Sequence, residues 1–297
     1  MKIIKPNFII IGAMKAATTS LYTYLKQHPD IFMTSIKEPK FFNNLNKDSV
    51  FKLQGKGLVK IKTMEQYLNL FQKAINEIAI GEASPSYIFD KDCHILIKDN
   101  LPRVKIIAIL RQPVERAYSN FLHAKRADQE KESEFEKAFT EENKMLKKGI
   151  KTHYYLEKGF YYKQLKRYYA VFPKEQIKII LFEDIIKSPE KITQEVFKFL
   201  NVDSSFIPNT SKKANVSGVP KGTLGWIIMK LRKKNLMPNI EFSKIYPEFI
   251  VNLILNTIYS KPKKISNKLI KKLTKQYYIK DIRKLEKLIN KDLSIWM

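Results

Sequence analysis

Before Ser211, short runs of consecutive apolar residues alternate with longer stretches in which apolar positions recur every three or four residues. Phe8 to Ile11, Ile78 to Ile80, Val104 to Leu110 and Ile177 to Phe182 are rich in β-branched side chains. Each stops at a polar residue or a glycine, which predicts strands. Unbroken apolar runs suit parallel strands covered on both faces. Helical spacing follows at Thr18 to Gln27, Met64 to Ala74, Val114 to Lys125, Ser133 to Lys147, Tyr161 to Tyr169 and Pro189 to Leu200. Strand then helix, repeated, predicts an α/β protein with a doubly wound parallel sheet flanked by helices. Such sheets bind ligands beyond the carboxyl ends of their strands, so the residues just after each strand carry the most information.

From Ser211 to Thr223 the chain turns polar and loop-like, reading SKKANVSGVPKGT, and from Trp226 to Met297 it is helical in pattern. The expected organisation is one site-bearing domain over 1–222. A basic helical C-terminal extension over 223–297 is packed on that domain or follows it. Residues 261–292 hold twelve Lys or Arg against three acids, either a basic docking surface or a solvated helical tail.

Composition narrows the partners. A net charge of +26 and a pI near 9.8 point to an anion: a nucleotide, an acidic glycan, nucleic acid or an anionic membrane. No RNA- or DNA-recognition motif is present, so nucleic acid is not expected. Any peripheral contact with an anionic membrane or polyanion is expected through residues 261–292. Cys93 is the sole cysteine, which excludes an internal disulfide and a multi-cysteine zinc site and suits a reducing compartment. The apolar run Phe8 to Ile11 is too short for a signal-peptide core, and no stretch approaches the ~18–20 apolar residues of a membrane span. A cytoplasmic location is expected.

The first strand leads into Gly12-Ala13-Met14-Lys15-Ala16-Ala17-Thr18-Thr19-Ser20, which opens a helix. Unpaired amides and the positive end of the helix dipole favour phosphate there. Lys15 adds a point charge, and Thr18, Thr19 and Ser20 add hydroxyl donors, so the turn is P-loop-like. It lacks the Gly-Lys pair of ATP and GTP enzymes. The strand Val104 to Leu110 delivers a second basic anchor in Leu110-Arg111-Gln112-Pro113-Val114-Glu115-Arg116-Ala117-Tyr118-Ser119-Asn120. The Arg111 guanidinium can fork onto phosphate oxygens while the Ser119 hydroxyl donates another bond. Arg116, on the same helix, reads as structural, paired with a neighbouring carboxylate.

KAATTSLYTYLKQHPDI resembles the 5′-phosphosulfate loop of the sulfotransferases that use 3′-phosphoadenosine 5′-phosphosulfate (PAPS), and LRQPVERAYSNF resembles their 3′-phosphate motif. GEASPSYIFD at 81–90 and GFYYKQLKRYYAVFPKEQIKIILFEDI at 159–185 resemble further segments, especially of the bacterial and heparan-sulfate-type branches. The resemblance covers roughly residues 7–220. It implies that Lys15, Ala16, Ala17, Thr18, Thr19 and Ser20 hold the 5′ end, and that Arg111 and Ser119 hold the 3′-phosphate. It also implies that Lys221-Gly222 closes over that phosphate, a stretch that reads equally as a plain linker. Sulfuryl transfer rests on alignment and charge stabilisation, so Lys15 near the bridging oxygen would offset charge on the leaving phosphate, and no metal is required. PAPS is then a co-substrate and the acceptor offers a hydroxyl, on a glycan first and on a lipid or small-molecule alcohol second.

Lys37-Glu38-Pro39-Lys40-Phe41-Phe42 resembles the segment whose glutamate is the general base in heparan-sulfate-type members, which gives that role to Glu38. His94, His123 and His153 are rival bases outside any matching motif, and His28 reads as a turn residue closing the first helix. Glu82 is expected to order the site, by bonding Lys15 or the acceptor. Ala83 stands where some glycan-specific relatives have lysine. Two other readings remain: a phosphate-loop kinase or NTPase, using Glu183-Asp184 for magnesium, and a basic protein that binds anionic surfaces through its tail. Tail deletion separates them, since an enzyme with its site at the strand ends is expected to keep turnover.

Overall fold

The structure is a computed structural model that describes residues 3–45, 61–150, 153–211, 219–220, 259–260 and 263–297. The core starts at strand β1 (Phe8–Gly12), where Phe8, Ile9, Ile10 and Ile11 are all fully buried. Each such side chain contributes about 1.5–3 kcal/mol on leaving water. Helix α1 (Thr18–Leu25) leads to β2 (Ile31–Met33), followed by α2 (Phe41–Asn44) and α3 (Met64–Leu68). Then come β3 (Ala79–Ala83), α4 (Cys93–Asn100), β4 (Lys105–Leu110) and α5 (Pro113–Arg126). After α6 (Phe135–Lys147) and α7 (Tyr161–Val171), β5 (Ile177–Leu181) runs into α8 (Phe182–Lys187) and α9 (Pro189–Leu200).

The five strands form one parallel sheet in the order β2-β3-β1-β4-β5. The four expected strands are all present, and β2 is a fifth that three residues at the sheet edge were too short to announce. Phe182, expected to end β5, opens α8 instead. The connection leaving β1 runs toward β2 while the one leaving β4 runs toward β5. The gap between β1 and β4 is therefore the topological switch point, where a doubly wound sheet opens a crevice.

The chain divides into two compact units. The first, residues 1–116, 157–214 and 271–297, holds the whole sheet. The second comprises 117–156 and 215–270, and α5 starts in the first and continues into it. Within the second unit, Tyr118, Phe121, Phe135 and Phe139 form an aromatic chain, with Tyr155 edge-on to Phe121. It also contains an antiparallel pair, β6 (Val219–Pro220) with β7 (Tyr259–Ser260). The expected 222/223 boundary lies outside the described residues, as do Lys221 and Gly222.

The C-terminal stretch comprises α10 (Asn267–Leu273), a π-helical turn Thr274–Tyr278 and α11 (Ile279–Ile289). In the first unit α11 packs on α7, burying Leu273, Tyr278, Ile282, Leu285, Leu293 and Trp296. The Asp281 carboxylate accepts from Tyr162 N at 3.0 Å, placing an anion at the N-terminus of α7, where the helix dipole favours it. Gly159 leaves room for this packing, since a Cβ there would come within 2.5 Å of the Tyr278 hydroxyl. Exposed Lys275, Lys280, Arg283, Lys287 and Lys291 face away from the core. From Leu273 onward this segment therefore adds its apolar side to the first unit's core and leaves its basic side in solvent.

Candidate active site

The loop after β1 is built for close approach. A Cβ on Gly12 would collide with the Ile88 side chain, so only glycine fits where the strand ends. Ala13 N then donates to Ile109 O at 2.7 Å, tying the loop to β4 across the switch point. Lys15 and Ala17 take left-handed backbone conformations, with φ of 69° and 63°. Ala17 stands at the N-cap of α1 with no side-chain capping bond, and the first turn of the helix carries no acid. The helix start thus keeps its positive character for an anion. Ala16 and Thr18 are buried, while Lys15, Ala17, Thr19 and Ser20 are partly exposed.

The turn after β2 joins this loop. Glu38 N donates to Ala83 O at 3.1 Å, which docks the turn onto the end of β3. Glu38 and Lys40 also sit in the left-handed region, at φ 58° and 53°. Four of the eight non-glycine residues with positive φ among the described residues therefore lie in these two loops. L-residues in that conformation cost on the order of 1 kcal/mol each, and such strain clusters at functional sites. Lys40 Nζ lies 3.3 Å from Glu38 Oε2, and Lys37 Nζ lies 3.8 Å from Glu38 Oε1. Lys37 Nζ also donates to Thr19 Oγ1 at 2.5 Å, linking the Glu38 turn to the first turn of α1. Burial pulls the Lys37 ammonium below its ordinary pKa, against the pull of Glu38.

Arg111 leaves β4 on the opposite side of the switch point. Its guanidinium rests 4.3 Å over the Phe182 ring and bonds Glu115 Oε2 through Nη2 at 2.9 Å and Nε at 3.2 Å. Arg111 thus has a carboxylate partner in the first turn of α5, and Arg116 is fully buried. The next residue, Gln112, donates from Nε2 to Thr274 Oγ1 at 2.6 Å and to Trp296 O at 3.4 Å. Gln112 N donates to Glu183 Oε1 at 3.3 Å. The base of the Arg111 loop is therefore braced by the C-terminal segment and by α8. Ser119 follows two turns into α5, partly exposed, in the second unit.

Glu82, at the end of β3, is fully buried. Its Oε2 accepts from Ser84 Oγ at 2.8 Å and its Oε1 from Tyr67 OH at 3.3 Å, and the Tyr87 hydroxyl lies close enough to feel its charge. Burial raises its pKa to about 7 despite these donors, and the nearby Glu38 adds to the rise. The partners expected for Glu82 were Lys15 or the acceptor. These hydroxyls come from α3 and from the loop after β3, and Ser84 and Tyr87 lie in the GEASPSYIFD segment that the sequence had marked only as a resemblance.

The histidines are held in structural settings. His28 Nδ1 accepts from Asp30 N at 3.0 Å, and its Nε2 pairs with Asp203 O at 2.8 Å, closing the turn after α1. His94 is buried beside Tyr168, His153 Nε2 pairs with Gln129 O, and His123 lies beside Arg126. Lys37, Glu115 and Phe182, which tie or shape the two basic anchors, were not assigned roles from sequence. Their signal is positional, because each lies one to five residues from an anchor or from the end of a strand.

Known proteins resemble this chain in sequence and fold. The family model described as "Sulfotransferase domain" matches residues 5–221. Carbohydrate sulfotransferase 15 of Mus musculus is 31% identical over 247 residues, covering 66% of this chain and 44% of its own length. Bifunctional heparan sulfate N-deacetylase/N-sulfotransferase 3 of Homo sapiens is 28% identical over 214 residues, covering 66% of this chain and 22% of its own. This chain therefore spans less than half the length of these curated relatives. A crystal structure of a sulfotransferase from Alicyclobacillus acidocaldarius superposes with a TM-score of 0.73 at 30% identity, over 99% of both chains. With the matched residues running from the amino side of β1 through both anchors and all five strands, the chain belongs to the sulfotransferase domain family.

Proposed function

We propose that this chain transfers the sulfuryl group of PAPS to an acceptor hydroxyl, with a glycan as the first acceptor class, and releases PAP. The observation that carries this reading is the pair of basic anchors, Lys15 and Arg111, leaving neighbouring strands at the switch point of one sheet. PAPS presents two separated anionic ends, and the chain offers two anchors. Lys15, the amides of 16–20 and the hydroxyls of Thr18, Thr19 and Ser20 bind the 5′-phosphosulfate. Arg111 binds the 3′-phosphate. Binding draws Arg111 from Glu115, while the Phe182 ring keeps the guanidinium plane in place. The glycan assignment is supported by the curated relatives, named for carbohydrate and heparan sulfate.

Glu38 takes the proton of the acceptor hydroxyl as the acceptor oxygen bonds to sulfur. The bond from sulfur to the bridging oxygen breaks, and Lys15 stabilises the charge left on the phosphate. Lys37, bonded to Thr19 and beside Glu38, keeps the base in register with the donor loop. A kinase reading is disfavoured because the loop lacks a Gly-Lys pair and because Glu183 is engaged by Gln112 N.

The test is a thermal-shift comparison of PAP with ADP in the absence of metal. PAP is expected to stabilise the protein far more than ADP, and Arg111→Ala is expected to erase the difference. Equal shifts from the two nucleotides overturn the donor assignment.

A further inference from the structure

Two backbone donors of the Glu38 turn are received by hydroxyls rather than by backbone carbonyls. Lys40 N donates to Ser84 Oγ at 3.1 Å, and Phe42 N donates to Tyr87 OH at 3.3 Å. The Ser84 hydroxyl has a single proton and turns it toward the Glu82 carboxylate, while the Tyr87 hydroxyl lies close enough to feel that charge. Tyr67 donates to the remaining side of Glu82 while its ring stacks on Phe41 at 4.6 Å. An ionised carboxylate only accepts, so it forces every neighbouring hydroxyl to donate inward and to leave its lone pairs facing out. The Ser84 lone pair is what Lys40 N–H meets. A donor in place of one carboxylate oxygen would reverse a hydroxyl and leave a buried N–H facing a proton, at a site where unmet polar groups are costly.

We propose that Glu82 is a positioning residue for Glu38: through Ser84 it clamps residue 40 and so fixes the left-handed turn that presents the Glu38 carboxylate. The proposal rests on Glu38 being the base that deprotonates the acceptor. It gives Glu82 no contact with the substrate. Its surroundings agree with a fixed direction of donation, since burial and the neighbouring Glu82 raise both the Tyr67 and Tyr87 hydroxyls well above their usual pKa and keep them protonated. The clamp also explains why so short a helix as α2 holds Phe41 and Phe42 fully buried beside the turn.

The experiment combines Glu82→Gln, Ser84→Ala and the double variant, assayed at pH 8 where the Glu82 carboxylate is ionised. Glu82→Gln keeps the side-chain shape but exchanges one acceptor oxygen for a donor. Expected is a fall in kcat of about 10- to 100-fold, the scale of a small misplacement of a reacting group, with the stabilisation by PAP unchanged. Hydrogen–deuterium exchange over residues 38–44 is expected to quicken about five- to tenfold in both single variants, while the strands β1 and β4 keep their protection. The double variant should be little worse than the weaker single one, because both act on the same relay. Unchanged exchange over 38–44 in both single variants overturns the proposal, as does a loss of protection spread evenly over the sheet. Should Glu82→Gln not fold, Ser84→Ala alone carries both readouts. A wild-type protein that shows no turnover defeats the proposed function, and the exchange measurement still decides whether Glu82 clamps the turn.

Discussion

At the scale of single residues, the candidate site is a place where ordinary preferences are overruled. Lys15, Ala17, Glu38 and Lys40 adopt a backbone conformation that glycine would take without cost, yet none is glycine. At Lys15 and Glu38 the proposed reaction uses the side chain itself. Glu38 is held between two ammonium groups, at 3.3 Å and 3.8 Å, so the charges flanking it on either side in the sequence also flank it in space. If Glu38 is the base, Glu38→Gln should retain stabilisation by PAP and lose about 10²- to 10⁴-fold in turnover, the usual worth of a positioned proton acceptor. A steady-state assay with labelled donor checks this, and a variant with near wild-type kcat would remove Glu38 from the role.

At the scale of elements, the C-terminal helix changes the picture most. Its sequence, with lysines at short intervals, reads as a solvated surface. Its apolar positions Tyr278, Ile282 and Leu285 nonetheless face α7, and Trp296 sits under the Arg111 loop. Deleting the tail is therefore expected to unfold the first unit, not to leave turnover intact. The milder Trp296→Ala should cost about 3–5 kcal/mol in urea unfolding, as for other large buried side chains. The central strands were legible because their runs, such as Val104 to Leu110, are long, apolar and β-branched. β2 was not, since three residues at an edge carry too little pattern. The two anchors were legible from motif context alone. The hydroxyl relay around Glu82 was not, because Tyr67 and Glu82 come from elements whose meeting depends on the β2-β3 pairing.

At the scale of the whole molecule, the buried Glu82 and the half-buried Asp281 contribute a pH dependence. Burial raises Glu82 to about 7 and Asp281 to about 6, so the folded protein holds protons that the unfolded chain has released. The facing groups are Tyr67, Tyr87 and Glu38 for Glu82, and Lys284 with the α7 amides for Asp281. A raised acid favours the folded state at low pH, and that advantage fades between pH about 4 and 7 as the folded-state groups ionise. Urea midpoints are expected to fall from pH 5.5 to pH 8, with Glu82 accounting for at most about 3 kcal/mol. Glu82→Gln should flatten most of the slope, and an unchanged slope would assign it to other groups. The +26 net charge works in the opposite direction, since acidification adds to self-repulsion. The brace beneath Arg111 adds a constraint in time. Gln112 meets Thr274 and Trp296 across 162 and 184 positions of chain. Until those partners emerge from the ribosome, a nascent chain lacks both the last part of its first unit's core and the support beneath Arg111.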